Sequence, residues 1–97
     1  MEGNATISAD IVARYAADAA LEVAGVSGLV GRHLPPQSGV RVKESDGRVR
    51  VEVHLGVEWG ASIPDVGRAV QARVREYLER MADLDLAAVD VVVDEIG

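Results

Sequence analysis

The chain has 97 residues, 48% of them apolar, with no cysteine and a net charge of −6. That length holds one domain with a core of its own and no need of disulfides or thiolate zinc, while the acidic balance disfavours nucleic acid, which is bound through clustered Lys and Arg. The opening Met1-Glu2-Gly3-Asn4-Ala5-Thr6 lacks the basic and apolar regions of a signal peptide, and no apolar run approaches the roughly 18 residues that span a bilayer, so a cytoplasmic location without direct membrane insertion is expected.

The first predicted element is a helix. Ser8 is its N-cap, Asp10 suits the positive end of the helix dipole, and Ile7 is placed to staple onto Val12. Ile11, Tyr15, Ala19 and Val23, joined by Val12 and Ala16, recur at spacings of three and four and mark the expected core face, and Gly25 is a natural stop. Residues 25–39 then hold Gly25, Gly28, Gly31, Pro35, Pro36 and Gly39. Such a density of breakers predicts a flexible Gly/Pro loop without regular structure, its first half folded back through Val26, Leu29 and Val30 and its stretch from Arg32 to Ser38 exposed.

Two strands are predicted next, over 40–44 and 49–57, because apolar and polar residues alternate at period two on both sides of Asp46-Gly47. A two-residue turn there sets Val42 opposite Val51 and Val40 opposite Val53 on one face, with Arg41 opposite Glu52 on the other. Turn chemistry and hydrophobic pattern thus select the same register. A second helix opens at Ser62-Ile63-Pro64-Asp65, with Ser62 as N-cap and proline in the first turn; its stripe is Ile63, Val66, Val70, Val74, Tyr77, Leu78 and Met81. Arg75 with Glu79 and Glu76 with Arg80 form i,i+4 pairs on its solvated side. Val89 to Asp94 make the last strand, with Val89, Val91 and Val93 facing inward. The predicted fold is α+β, order α-β-β-α-β, with two helices on one face of a three-stranded mixed sheet and the second helix crossing over to a parallel last strand. Which earlier strand the last one adjoins is left open by the pattern.

Chemistry is sparse. His33 lies in the loop and His54 on the outward strand face, neither near a glycine-flanked serine, so no nucleophile and base are paired and no enzyme is expected. Glu52, His54 and Glu58 share a strand face, yet one histidine with two spread carboxylates is an ordinary wet surface more often than a metal site, and no metal or cofactor is expected. Gly25-Val26-Ser27-Gly28 and Gly28-Leu29-Val30-Gly31 fit the G-x-x-G pattern of RNA-binding KH domains, and the element order is loosely similar to theirs. Their variable positions are apolar, however, and they precede a strand. Trp59 keeps the inward parity of Val49 to Val57 and so reads as a lid on the core; the competing reading makes Trp59-Gly60 the aromatic anchor of a protein interface, with the outward strip Arg41, Lys43, Arg50, Glu52 and His54 around it. Edge strands in so small a sheet also invite strand addition or dimerisation.

Taken in order, four stretches resemble the alkaline-shock-protein family, the Gls-type envelope-stress and general-stress proteins of Gram-positive bacteria. These are Ile7-Ser8 opening an alanine-rich helix, Glu22-Val23-Ala24-Gly25-Val26 closing it, the hairpin that runs into Leu55-Gly56-Val57-Glu58-Trp59-Gly60, and Ile63-Pro64-Asp65-Val66 through Val70-Gln71 and Val74 to Met81, ending in Val89-Asp90-Val91-Val92-Val93. Together they cover almost the whole of residues 1–97 as one domain. Met81-Ala82-Asp83-Leu84 stands where the family often has Met-Thr-Gly-Leu, and no extension beyond the last strand is expected. The resemblance implies a non-enzymatic cytoplasmic scaffold of cell-envelope homeostasis that self-associates and is held at the membrane by a separate membrane-anchored partner; a KH-like nucleic-acid-binding regulator is the alternative that the glycine pattern offers.

Overall fold

The computed structural model describes residues 8–29 and 36–97, in the order α1 (Ala9–Leu21), β1 (Val26–Leu29), a 3-10 turn (Pro36–Gly39), β2 (Val40–Ser45), β3 (Arg48–Val57), α2 (Ile63–Ala82) and β4 (Leu86–Ile96). Local chemistry accounts for most of the boundaries. Ser8 caps α1 by accepting from the Ile11 amide, and Ser62 caps α2 by accepting from the Asp65 amide, each satisfying a donor that the first helical turn leaves without a partner. Asp46 and Gly47 have φ of +54° and +79°, the two left-handed residues that a type I′ hairpin turn requires and that glycine tolerates best. The turn fixes the expected register, with Val42 opposite Val51, Val40 opposite Val53 and Arg41 opposite Glu52.

All pairing converges on β3. β4 runs parallel to it from Val49↔Leu86 to Val57↔Ile96 and occupies one of its edges. The other edge is shared: β2 pairs antiparallel with the first part of β3, and β1 pairs antiparallel with Leu55–Val57. Among the described residues the sheet therefore has four strands and the order is α-β-β-β-α-β, not the three strands of the period-two reading. The added strand answers a backbone requirement. β3 is ten residues long and β2 reaches only to Val53, so the last residues of β3 would have unpaired amides and carbonyls on that edge without Val26–Leu29. The expected structureless loop over 25–39 is corrected accordingly, by a strand at one end and a 3-10 turn at the other. Val26 and Leu29 do fold back and pack against the core; Ser38 is exposed; Val30, Arg32, His33 and Pro35 lie outside the described residues, as does the staple residue Ile7.

Both helices cover the same face of the sheet. The buried row of β3, Val49, Val51, Val53, Leu55 and Val57, meets Val66, Val70, Val74 and Leu78 of α2 and an alanine-rich face of α1. That face is Val12, Ala13, Ala16, Ala17, Ala19 and Ala20, rotated from the predicted stripe, because small side chains let the helix axis approach the sheet closely. Ile11 is left exposed, and Tyr15 turns aside to stack edge-on against Tyr77 of α2, with centroids 5.8 Å apart. The predicted α2 stripe is buried through its middle, while Ile63 and Met81 at its ends are open to solvent. On the solvated side Arg75 pairs with Glu79 at 3.6 Å as expected, whereas Arg80 lies over the Tyr77 ring and Glu76 is taken by Arg73. Between α1 and β1, Gly25 has φ of +97°, and a Cβ there would lie 2.6 Å from Val66 Cγ2, so both backbone and space demand glycine.

The two ends of the α2 stripe differ enough to test. Leu78 is 0% exposed and Met81 49% exposed. Leu78→Ala leaves a cavity against the sheet and lowers stability by about 2–5 kcal/mol, whereas Met81→Ala changes it by no more than about 0.5 kcal/mol. Urea unfolding of the two variants beside the wild type measures both.

Candidate interaction surface

With both helices on one side, the other face of the sheet is left open among the described residues, and the alternation of β2, β3 and β4 decides what it carries. Arg41 and Lys43 of β2 stand opposite Glu52 and Arg50 of β3, which stand opposite Asp90 and Ala88 of β4; His54 stands opposite Val92. The strip predicted from period two, Arg41, Lys43, Arg50, Glu52 and His54, is thus gathered on one surface. Lys43 and Arg50 are like charges directly opposite, an unfavourable cross-strand pair, and Arg50 instead reaches Asp90 Oδ2 at 3.4 Å.

His54 is the best-held group of this face. Its Nδ1 lies 2.9 Å from Asp94 Oδ2 and its Nε2 is in contact with Glu52 Oε2. Two carboxylates are acceptors only, so both ring nitrogens must donate, which is the imidazolium form. The hydrogen bond that His54 donates to Asp94 is the main cause that raises its pKa above 6.5; partial burial opposes it, and the bond to Glu52 and the charges of both acids add to the rise. Glu58, which shares the parity of this row, is exposed beyond the end of β3 and takes no part in the group. Among the described residues no three His, Asp or Glu side chains are gathered as a metal site.

Trp59 and Gly60 are not brought to this strip. β3 ends at Val57, the Glu58 amide donates to the Gly25 carbonyl, and the Ala61 amide donates to the Glu58 carbonyl at 3.0 Å. The chain is therefore turning at Trp59 and strand parity no longer applies. Trp59 is 84% exposed, which overturns the reading of it as a lid on the core. Asp90 and Asp94 were absent from the predicted strip although they complete its ion pairs. The signal that places them is the inward parity of Val89, Val91 and Val93, which sends Asp90 and Asp94 outward once β4 is set beside β3. The first G-x-x-G, Gly25 to Gly28, leads into an antiparallel strand rather than joining two helices.

Such an arrangement defines a small α+β domain whose polar sheet face and exposed aromatic turn are its notable surfaces. Residues 1–97 match the model of the alkaline shock protein 23 family, of cell envelope-related function, and the chain belongs to that family. It is 27% identical over 107 residues to the uncharacterized protein Spy1614 of Streptococcus pyogenes serotype M6, covering 98% of this chain and 88% of that one. To the uncharacterized protein YqhY of Bacillus subtilis it is 29% identical over 99 residues, covering 92% and 73%. Among solved structures, a zinc form of a MamM CTD variant superposes with a TM-score of 0.66 at 20% identity, covering 89% of this chain and 84% of that one. A cadmium form of the same domain gives 0.65 at 19%, covering 91% and 98%. At such identities the likeness is one of fold. Among the described residues no helix is long and apolar enough to cross a membrane.

The clamped imidazolium makes stability depend on pH in a defined sense. The folded-state pKa of His54 lies above 6.5, so the folded protein holds a proton that the unfolded chain releases first, and stability falls as pH rises through that window. His54→Gln removes the dependence. The difference in melting temperature between wild type and His54→Gln is expected to be largest near about pH 6 and to shrink by about pH 8.5; a constant difference across this range excludes the charged clamp.

Proposed function

We propose that this chain is a non-enzymatic, self-associating scaffold of the cell-envelope stress response, working in the cytoplasm and held at the membrane by a membrane-anchored protein. Membership of a family of cell envelope-related function supports the setting. The sheet face supports the absence of catalysis, since His54 is engaged by Asp94 and Glu52 and among the described residues has no nucleophile bonded to it. The observation that carries the reading is Trp59. An indole 84% exposed in a turn is an apolar surface left in water by the fold, and Trp is the residue type most enriched among interface anchors. Trp59 with Gly60 is assigned to the membrane-anchored partner, and the charged strip to contacts between copies.

Trp59→Ala is expected to leave stability within about 0.5 kcal/mol of wild type, because no core contact is lost, while weakening binding to the partner by about 2 kcal/mol, a loss of roughly thirtyfold. Denaturant unfolding, together with co-sedimentation of the purified protein with membranes of its own host, reads both. A variant that unfolds, or that sediments with membranes as wild type does, defeats the assignment of Trp59.

A further inference from the structure

Among the described residues the sheet has two edges without a neighbouring strand, and they carry opposite charge. Among the described residues β2 and β4 each pair with no strand but β3, so each presents an edge of the kind that pairs with another strand. On the open face β2 bears Arg41 and Lys43, both exposed and without an ion-pair partner among the described residues. β4 bears Asp90, Asp94 and Glu95 and no basic residue. Arg50 and His54 approach Asp90 and Asp94 from the β3 side, and a carboxylate has further lone pairs for a cation arriving from the other side.

The backbone parity of the two edges also matches. A two-residue turn makes Ser45 and Arg48 a hydrogen-bonded pair, so Arg41 and Lys43 direct their amides and carbonyls at β3, and Val40 and Val42 direct theirs outward. In β4 the Val89 carbonyl is taken by Gln71 Nε2 of α2 at 3.1 Å, which places it on the outer side, and alternation puts the backbone groups of Val91 on that side too. β2 is antiparallel to β3 and β4 is parallel to it. A second copy moved sideways without rotation therefore brings its β2 antiparallel to β4. In that arrangement Val91 and Val89 bond to Val40 and Val42 of the neighbouring copy, and the row Arg41, Glu52, Asp90 continues into the neighbour's Arg41. The second lone pair of the Val89 carbonyl serves this bond while Gln71 keeps the first.

We propose that copies of this chain join edge to edge, β4 of one pairing antiparallel with β2 of the next, with Asp90 opposite Arg41 of the neighbouring copy. The partner is a second copy because the acidic edge needs a basic strand of the right direction and parity, and β2 is one. Pairing two β4 strands about a two-fold axis brings acidic edges together and supplies no cation. The head-to-tail contact leaves one free edge of each kind at its ends and does not close on itself, so growth is open-ended. This inference rests on the self-association proposed above and names its surface.

A charge swap tests it. Arg41→Glu with Lys43→Glu leaves both edges acidic, and Asp90→Arg leaves the β2 edge basic and makes the β4 edge basic at its paired position. Sedimentation velocity at tens of micromolar and low salt is expected to show concentration-dependent growth for wild type that added salt reverses, monomers for each variant alone, and renewed association when the two are mixed. Circular dichroism establishes that each variant is folded, and Arg41→Gln with Lys43→Gln, which adds no repulsion, is expected to associate several-fold more weakly than wild type. Association of the Arg41→Glu, Lys43→Glu variant as strong as wild type, or a mixture that stays monomeric, overturns the edge pairing while self-association stands. A wild type that is monomeric throughout overturns both.

Discussion

The ten residues of β3 alternate between a buried row, Val49, Val51, Val53, Leu55 and Val57, and an open row led by Arg50, Glu52 and His54, and every other strand hydrogen-bonds to this one. Its length sets the rest of the architecture. Because β2 stops pairing at Val53, a fourth strand must complete the same edge, and because the chain returns through α2, the other edge receives β4 in parallel. The buried row wants an apolar lid, which two helices supply from one side. Among the described residues no helix covers the other side, and the open row is polar enough to face water.

From that constraint the electrostatics of the open face follow. A β-sheet sets side chains of neighbouring strands about 5 Å apart, so charges on this face meet in fixed rows. Arg50 resolves its conflict with Lys43 by turning to Asp90, and His54 is held between Glu52 and Asp94. β3 thus spends its charges on β4. Arg41 and Lys43 of β2 make no ion pair among the described residues, although Glu52 stands opposite Arg41, and the asymmetry between the two edges arises from strand order as much as from composition.

Much of this is legible in the amino-acid sequence alone. Asp46-Gly47 with flanking valines specified turn, register and the facing of Arg41, Lys43, Arg50, Glu52 and His54, because two independent signals had to agree; Ser8 and Ser62 specified the helix starts. Other features depended on tertiary context. Val26-Ser27-Gly28-Leu29 is too short and too rich in glycine to announce a strand, and it is one only because the end of β3 leaves a partner free. The predicted face of α1 holds for Val12, Ala16 and Ala19, which are buried, and for Tyr15 and Val23, which pack against the core, but Ile11 is exposed and Ala13, Ala17 and Ala20 complete the face, because close approach to the sheet favours alanines. Trp59 was read inward by extending a period that ends where the backbone begins to turn at Glu58. Asp90 and Asp94 were visible as outward residues of a strand, but their place in the ion-pair rows required knowing that β4 adjoins β3, which no short-range pattern reports.

The separation of the two candidate surfaces bears on how they would work together. Trp59 and Gly60 occupy the turn beyond the end of β3, while the open edges run along β2 and β4. Strand addition at an edge uses backbone groups and the charged rows of the sheet face; an indole anchor uses apolar area at the end of the sheet. On the proposed reading neither contact needs the residues of the other, so copies joined side by side still present one Trp59 each, all at the same end of the sheet because the copies are related by translation. A row of identical weak anchors binds a surface of partners with an affinity that grows with the number of copies, without any new contact within the domain. Edge pairing and the exposed turn are then two parts of one device, in which assembly supplies the strength that a single exposed tryptophan lacks.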